Sequence, residues 1–365
     1  MKNKIVPISI SVSAIALLFF VFSCSSDKND YVAIEVSPVV VNLSQVPYAN
    51  LSDYKFFAGE IKNQQPSYGV IPYKPASELF SDYAIKKRFI WLPNGTKAAY
   101  VSDSEILNLP VGAALVKTFY YNRVQPSNTT KIIETRVMMR KADSWIFADY
   151  VWNADQTEAT LQTQGSTIPI TWIDETAVTH TIDYKIPSEN ECKMCHDISS
   201  VSMPIGIKPQ NLNNPYNYGN ATKNQLTKWI EFGYLEDTLP AEILSTVDYN
   251  DTAQSLDLRV RSYLDINCAF CHQSGGNVEF VNIRMAFNQT TNPLNMGVCA
   301  PAILAVPGIP RGQIVSPQNP TESTLLYTLS TNATLFRMPR IGRTVVHEEG
   351  IQLVTAWINS LPACN

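Results

Sequence analysis

Two stretches of the chain share one format, Cys192-Lys193-Met194-Cys195-His196 and Cys268-Ala269-Phe270-Cys271-His272. C-x-x-C-H is the attachment signature of c-type haem. The two thiols add to the two vinyl groups of the porphyrin, and the two intervening residues set the separation those groups require. The adjacent histidine then lies under the iron and supplies the proximal nitrogen. The chain has only four histidines, two of them in these motifs. A four-thiolate zinc site usually has its C-x-x-C pairs about 15–20 residues apart, whereas here all of residues 196–267 lie between them. A thioredoxin-like pair needs one motif in a βαβ setting, which the sequence does not offer. The expectation is two covalently bound haem c groups. Cys192, Cys195, Cys268 and Cys271 are their attachment points, and His196 and His272 the proximal iron ligands.

Outward from the second motif, the pattern becomes helical. Leu256, Val260, Tyr263 and Leu264 form a stripe running directly into Cys268, and Ile351, Val354, Trp357, Ile358 and Leu361 form another. Glu348 and Glu349 occupy the first turn of the second stripe, where the helix dipole favours acids. Between the stripes lies Arg337-Met338-Pro339, whose proline stiffens the loop, and Met338 is the candidate sixth ligand of the second haem. This order resembles a class I cytochrome c domain over residues 253–365. His347, beside its two acids, reads as a capping or surface residue.

Around the first motif, over 187–252, the chain reads as loop-rich, with Asn211, Asn213, Asn214, Pro215 and Asn217 close together. One helix is predicted there. Thr222 and Gln225 form its capping box, Leu226, Trp229 and Ile230 its apolar face, and Gly233 its stop. The sixth position of the first haem stays open between Met203, placed first, His180 and a vacant site. Met203 follows His196 closely and is itself followed by proline.

Residues 51–186 read as β structure. Phe89-Ile90-Trp91-Leu92 and Ala98-Ala99-Tyr100-Val101 flank Pro93-Asn94-Gly95, a hairpin signal. Further strands are expected over 115–121, 132–139, 145–152, 168–173 and 180–184, a spacing that suggests an antiparallel sandwich. Trp91, Trp145, Trp152 and Trp172 read as core and sheet packing. The expected fold class is thus α+β and multidomain, an N-terminal antiparallel β-sandwich-like domain followed by mainly α-helical haem modules.

The N-terminus carries Lys2 and Lys4, an apolar run from Ile5 to Phe22, then Ser23-Cys24 and a polar stretch, the pattern of a bacterial lipoprotein signal. Residues 1–23 are read as the signal peptide, Cys24 as the lipidated residue and 24–50 as a polar tether. The expected location is the bacterial cell envelope, on the periplasmic or outer-membrane side. In that oxidising setting the remaining thiols, Cys299 and Cys364, are an even pair and are expected to form a disulfide. Of the 365 residues 45% are hydrophobic and 16% charged, which excludes disorder over most of the length. A net charge of −4 without any basic block argues against a nucleic-acid partner.

Taken in order, Leu79-Phe80-Ser81-Asp82-Tyr83-Ala84 through Trp91-Leu92-Pro93, Tyr150-Val151-Trp152-Asn153, Pro204-Ile205-Gly206, Leu264-Asp265-Ile266-Asn267-Cys268 and Val346-His347-Glu348-Glu349-Gly350 resemble an uncharacterised bacterial family of di-haem c-type cytochromes. The resemblance runs from about residue 50 to 361. It implies a membrane-associated or exported di-haem protein without an assigned reaction. The leading expectation is an electron carrier serving an unidentified redox partner. The alternative is a peroxidase-like or other oxidoreductase whose catalytic iron is the first haem and whose electron entry is the second.

Overall fold

The computed structural model describes residues 35–309 and 312–364. Residues 1–23, read from the sequence as a signal peptide, and Cys24 lie outside the described residues. Among the described residues no helix is long and apolar enough to cross a membrane.

Alternating and β-branched stretches decide where strands form. Eight build the sheet: β1 (Ile71–Pro72), β2 (Ile85–Trp91), β3 (Ala114–Val124), β4 (Thr129–Arg140), β5 (Trp145–Trp152), β6 (Ala159–Gln162), β7 (Ser166–Ile173) and β8 (Thr179–Ile186). Strands β1 to β6 follow one another in sequence order, all antiparallel, while β7 joins β3 at Val124–Trp172 and pairs with β8. The sequence suggests two facing sheets, but the hydrogen bonds make one. Strand β3 is long, with register shifts at Phe119/Tyr120 and Tyr121/Val124, and its far end reaches β7. All four tryptophans expected in the core are buried there.

The hairpin expected around Pro93-Asn94-Gly95 does not form. Strand β2 pairs with β1 and β3, and Ala98 instead bridges in parallel to Leu235. Nor is the end of the tether loose. From Ser37 onward it belongs to one compact unit with the rest of the chain. Val39, Val41, Leu43 and Tyr48 pack on the core formed by Phe89, Val116, Val137 and Tyr150.

Among the described residues six helices accompany the sheet: α1 (Glu189–His196), α2 (Pro209–Leu212), α3 (Gln225–Phe232), α4 (Leu256–Cys268), α5 (Thr324–Ser330) and α6 (Glu348–Ser360). The fold is therefore mixed α and β with a large antiparallel sheet. Helix α3 begins later than the proposed capping box. Thr222 pairs with Asn217 in a short ribbon, and Asn224 is the cap, its Oδ1 accepting from Leu226 N and Thr227 N. Helices α4 and α6 bury their stripes against each other around Val260, Leu264, Val354 and Trp357. Gly350 allows the close approach, because a Cβ there would lie within 2.3 Å of the Tyr263 hydroxyl.

Contacts cross the expected boundaries at 186/187 and 252/253. Gln225 bonds both to Lys74 N and to Lys74 O, Phe80 N donates to Asn267, and Asp82 accepts from Thr344 and Val345.

Candidate functional site

Helix α1 carries the first motif. Ser188 and Glu191 cap it reciprocally, each side chain accepting from the other's backbone N–H, so the motif lies on a helix where the sequence reads as loop. Its last residue, His196, meets the ring of Phe147 on β5 at 4.9 Å between centroids. The neighbouring strand, 201–202, returns antiparallel to 197–198 and brings Met203 against His196. Met203 N donates to the His196 carbonyl at 2.9 Å, and Met203 O lies 2.8 Å from His196 Nδ1. A carbonyl only accepts, so Nδ1 carries the proton and Nε2 keeps its lone pair. Burial holds the imidazole neutral, with its pKa down to about 4.

The second motif ends α4, where every residue from Val260 to Cys268 is buried. His272 O accepts from Met285 N at 3.0 Å. Its Nδ1 is buried without a protein partner, and burial lowers this imidazole also to about 4.

The fold brings the two motifs together. Cys195 and Cys271 are close enough for each thiol to perturb the other. Asn277 bonds to the carbonyl of Met194, and Ser199 N donates to Gly275 O at 2.9 Å.

A cleft of about 220 Å³ opens beside this junction. Cys192, Cys195 and His196 form one side, and Phe270, Asn267 and Met338 another. The β2–β5 face of the sheet supplies a third. Register aligns Ile90, Leu115, Met138 and Phe147 in one apolar row, and Arg88, Lys117, Arg136 and Asp149 in the next. Behind them Glu134, 0% exposed, accepts from Arg136 at 2.5 Å and from the Tyr184 hydroxyl at 2.6 Å. Glu134 and Asp149 share that one guanidinium. Burial works against the charge of Glu134, but Arg136 overrides it and holds this carboxyl low. Burial and the Glu134 charge push Asp149 well above the ordinary carboxylate range.

Met338 thus lines the cleft, whereas Met203 is not among its lining residues. Met203's backbone engages the Nδ1 side of His196, opposite the free lone pair, and its side chain packs with the cluster of Ile71, Tyr73 and Trp229. His180 pairs with Asp174 at 2.7 Å and stacks on Trp172; it too is not among the cleft-lining residues. His347 is buried, contrary to the capping or surface reading. It stacks on Phe80 at 4.2 Å, and its Nδ1 lies 3.2 Å from the Tyr263 hydroxyl. Only its backbone stands at the head of α6. Cys299 and Cys364 are joined in a disulfide, with Cα atoms 5.8 Å apart.

The donor set discriminates among chemistries. Among the described residues no three His, Cys, Asp or Glu side chains gather closely enough to hold a bare metal ion. Burial raises the Cys192 and Cys268 thiols, to about 11 and about 12, whereas the neighbouring Cys195 lowers that of Cys271. Paired thiols, a free imidazole Nε2, an orphaned buried imidazole nitrogen and an adjoining cleft are the donors and the space that a covalently attached porphyrin would use.

Two features escaped the sequence reading. Ser188-x-x-Glu191 is a helix-start signal immediately ahead of the first motif. The charged row was visible only as isolated charges inside apolar strands. Comparison with family models, curated proteins and solved structures finds no match to this chain.

Proposed function

We propose that the chain is a di-haem c-type cytochrome that transfers electrons outside the cytoplasm, tethered to a bacterial envelope membrane through lipid on Cys24. One observation carries this reading: two C-x-x-C-H segments, remote in sequence, meet where Asn277 bonds to the Met194 carbonyl and Ser199 N donates to Gly275 O, beside a cleft lined by the first of them. Cys192 and Cys195 would hold one haem with His196 as proximal ligand, and Cys268 and Cys271 the other with His272. Such an iron gains and loses one electron, and neighbouring attachment points favour exchange between the two groups. Residues 253–364 act in this reading as a class I-like module with Met338 as its sixth ligand. Residues 187–252 carry the first haem, and the sheet forms the wall that excludes water. The partner is a redox protein.

The chain's own residues prepare both sites. The carbonyl of Met203 fixes the His196 tautomer, so that Nε2 is the nitrogen offered to iron. Phe147, Leu115 and Met138 keep that side of the cleft apolar, which disfavours the more charged state of a bound group.

A specific observation also favours the enzymatic reading. Asp149, raised toward its protonated form, and Lys117 both line the cleft that His196 faces, so a catalytic iron there would have a proton donor and a cation beside it. Carbon monoxide added to the reduced protein separates the two. A carrier leaves both irons six-coordinate and its spectrum unchanged, whereas a catalytic first haem binds the gas. In Met338→Ala the second haem should bind carbon monoxide and show a high-spin ferric fraction. A wild-type-like spectrum in that variant would remove Met338 from its role.

A further inference from the structure

The charged row on the sheet has one member whose charge the protein leaves uncompensated. Arg88 stands opposite Lys117, and Lys117 opposite Arg136, on adjacent strands. Like charges placed directly across a sheet repel, so each needs a counter-charge. Arg88 has Glu78 at 3.0 Å, and Arg136 has Glu134 at 2.5 Å with Asp149 at 3.5 Å. Among the described residues Lys117 makes no ion pair. Its ammonium sits over the ring of Phe119 at 4.7 Å, a contact that answers only part of a cation's demand.

Its surroundings worsen the deficit. Burial, then the charges of Arg88, Lys86 and Arg136, drive the Lys117 pKa well below that of a free lysine. Asp149, next along the row, does not offset this. Neither of its buried oxygens receives a hydrogen bond, and it is held toward its neutral form. The row therefore presents to the cleft two guanidiniums, each already paired with an acid, and between them a lysine with no acid partner, whose protonated form an entering anion would stabilise. The row's four side chains all line the cleft wall, together with Cys192, Cys195 and His196.

We infer that Lys117, flanked by Arg88 and Arg136, is an anion site that takes a carboxylate or similar small oxyanion inside the cleft. An oxyanion there would gain charge-assisted hydrogen bonds from groups already fixed by the sheet, and would relieve the repulsion along the row. Two sources share this chemistry. One is the propionate carboxylates of the haem attached at Cys192 and Cys195, an arm that rests on the haem reading. The other is a free oxyanion entering from solvent.

The test uses the full-length holoprotein, its haem content established by intact mass, as wild type, Lys117→Gln and Lys117→Arg. Redox titration follows both midpoint potentials, and calorimetry follows the binding of acetate. If the carboxylates belong to the attached haem, Lys117→Gln lowers the midpoint of the first site and leaves the second unchanged. Lys117→Arg then restores it, and acetate gives no binding heat in the wild type. If the anion is free, acetate binds the wild type saturably, at least tenfold more weakly in Lys117→Gln, and again in Lys117→Arg. Unchanged potentials in Lys117→Gln, together with no acetate binding to the wild type, would overturn the inference. A preparation without haem would defeat the haem reading instead, and the calorimetric arm would still decide whether the row binds an anion.

Discussion

The two C-x-x-C-H segments have the same format and opposite surroundings. Helix α1, bearing the first, has no buried residue. It is held by its capping box, by ion pairs of Glu189 with Lys193 and Glu191 with Lys185, and by its seat beside a charged sheet face. Helix α4, bearing the second, is buried over its last nine positions, Val260 to Cys268, of which Val260, Tyr263, Leu264 and Cys268 belong to an apolar cluster. His196 has a carbonyl partner at Nδ1, and His272 has none. One region is organised by charge and the other by exclusion of water. Fixed fields set the electrostatics of a group in the first, and desolvation sets them in the second. The first should respond to charge substitution, the second to packing.

The largest effect that could break this contrast is expected at Glu134. Glu134→Ala leaves the half-buried Arg136 with Asp149 as its remaining acid, and removing one partner of a buried pair costs about 3–5 kcal/mol. Denaturant titration should show that loss. Replacing Glu134, Arg136 and Asp149 together by apolar residues should recover most of it, because no member of the trio is then left buried without its partner. If the single variant unfolds at the wild-type midpoint, the first region is not organised by charge.

In the second region the corresponding device is covalent. Cys299→Ser/Cys364→Ser opens a loop with a sequence separation of 65 residues, an expected cost of about 4 kcal/mol in the chain-entropy model. The same titration without reductant measures it. A wild-type midpoint in the double variant would mean that this module needs no staple.

A smaller effect sharpens the comparison through pH. Burial lowers the His347 pKa from 6.5 to about 4. Between those values the unfolded chain binds more protons than the folded one, so stability falls as pH drops through this window. At 1.36 kcal/mol per unit the loss is about 3 kcal/mol at most. His347→Phe keeps the stack on Phe80 and should flatten that part of the stability–pH curve. An unaltered slope would place the acid sensitivity elsewhere.

The smallest effect is expected at Met203. Its backbone serves His196 while its side chain packs in the apolar cluster with Tyr73 and Trp229, so Met203→Leu should cost less than about 1.5 kcal/mol and leave the optical spectrum unchanged. A high-spin signal in that variant would return the sulfur to the iron.

The same division explains what the sequence made legible. The C-x-x-C-H motifs could be read because their residues are neighbours in the sequence at a fixed spacing. Strands β3 to β5, β7 and β8, and helices α4 and α6, could be read because their apolar periods are local. The failures are long-range. Ala98 finds Leu235 instead of the strand beside it, and His347 is buried by Phe80, an aromatic from the opposite half of the chain that no local pattern announces. The Arg88–Lys117–Arg136 row exists only once strand register is known, since a shift of one residue would turn those side chains to the other face. The meeting of Cys195 with Cys271 depends on all of this at once.

The central claim is that both motifs carry covalent haem, and intact mass of the chain matured in cells with a cytochrome c maturation system tests it most directly. The wild type should carry two haem masses. Cys192→Ala/Cys195→Ala and Cys268→Ala/Cys271→Ala should each carry one. A wild-type mass without haem, or with bound zinc in its place, would contradict the account.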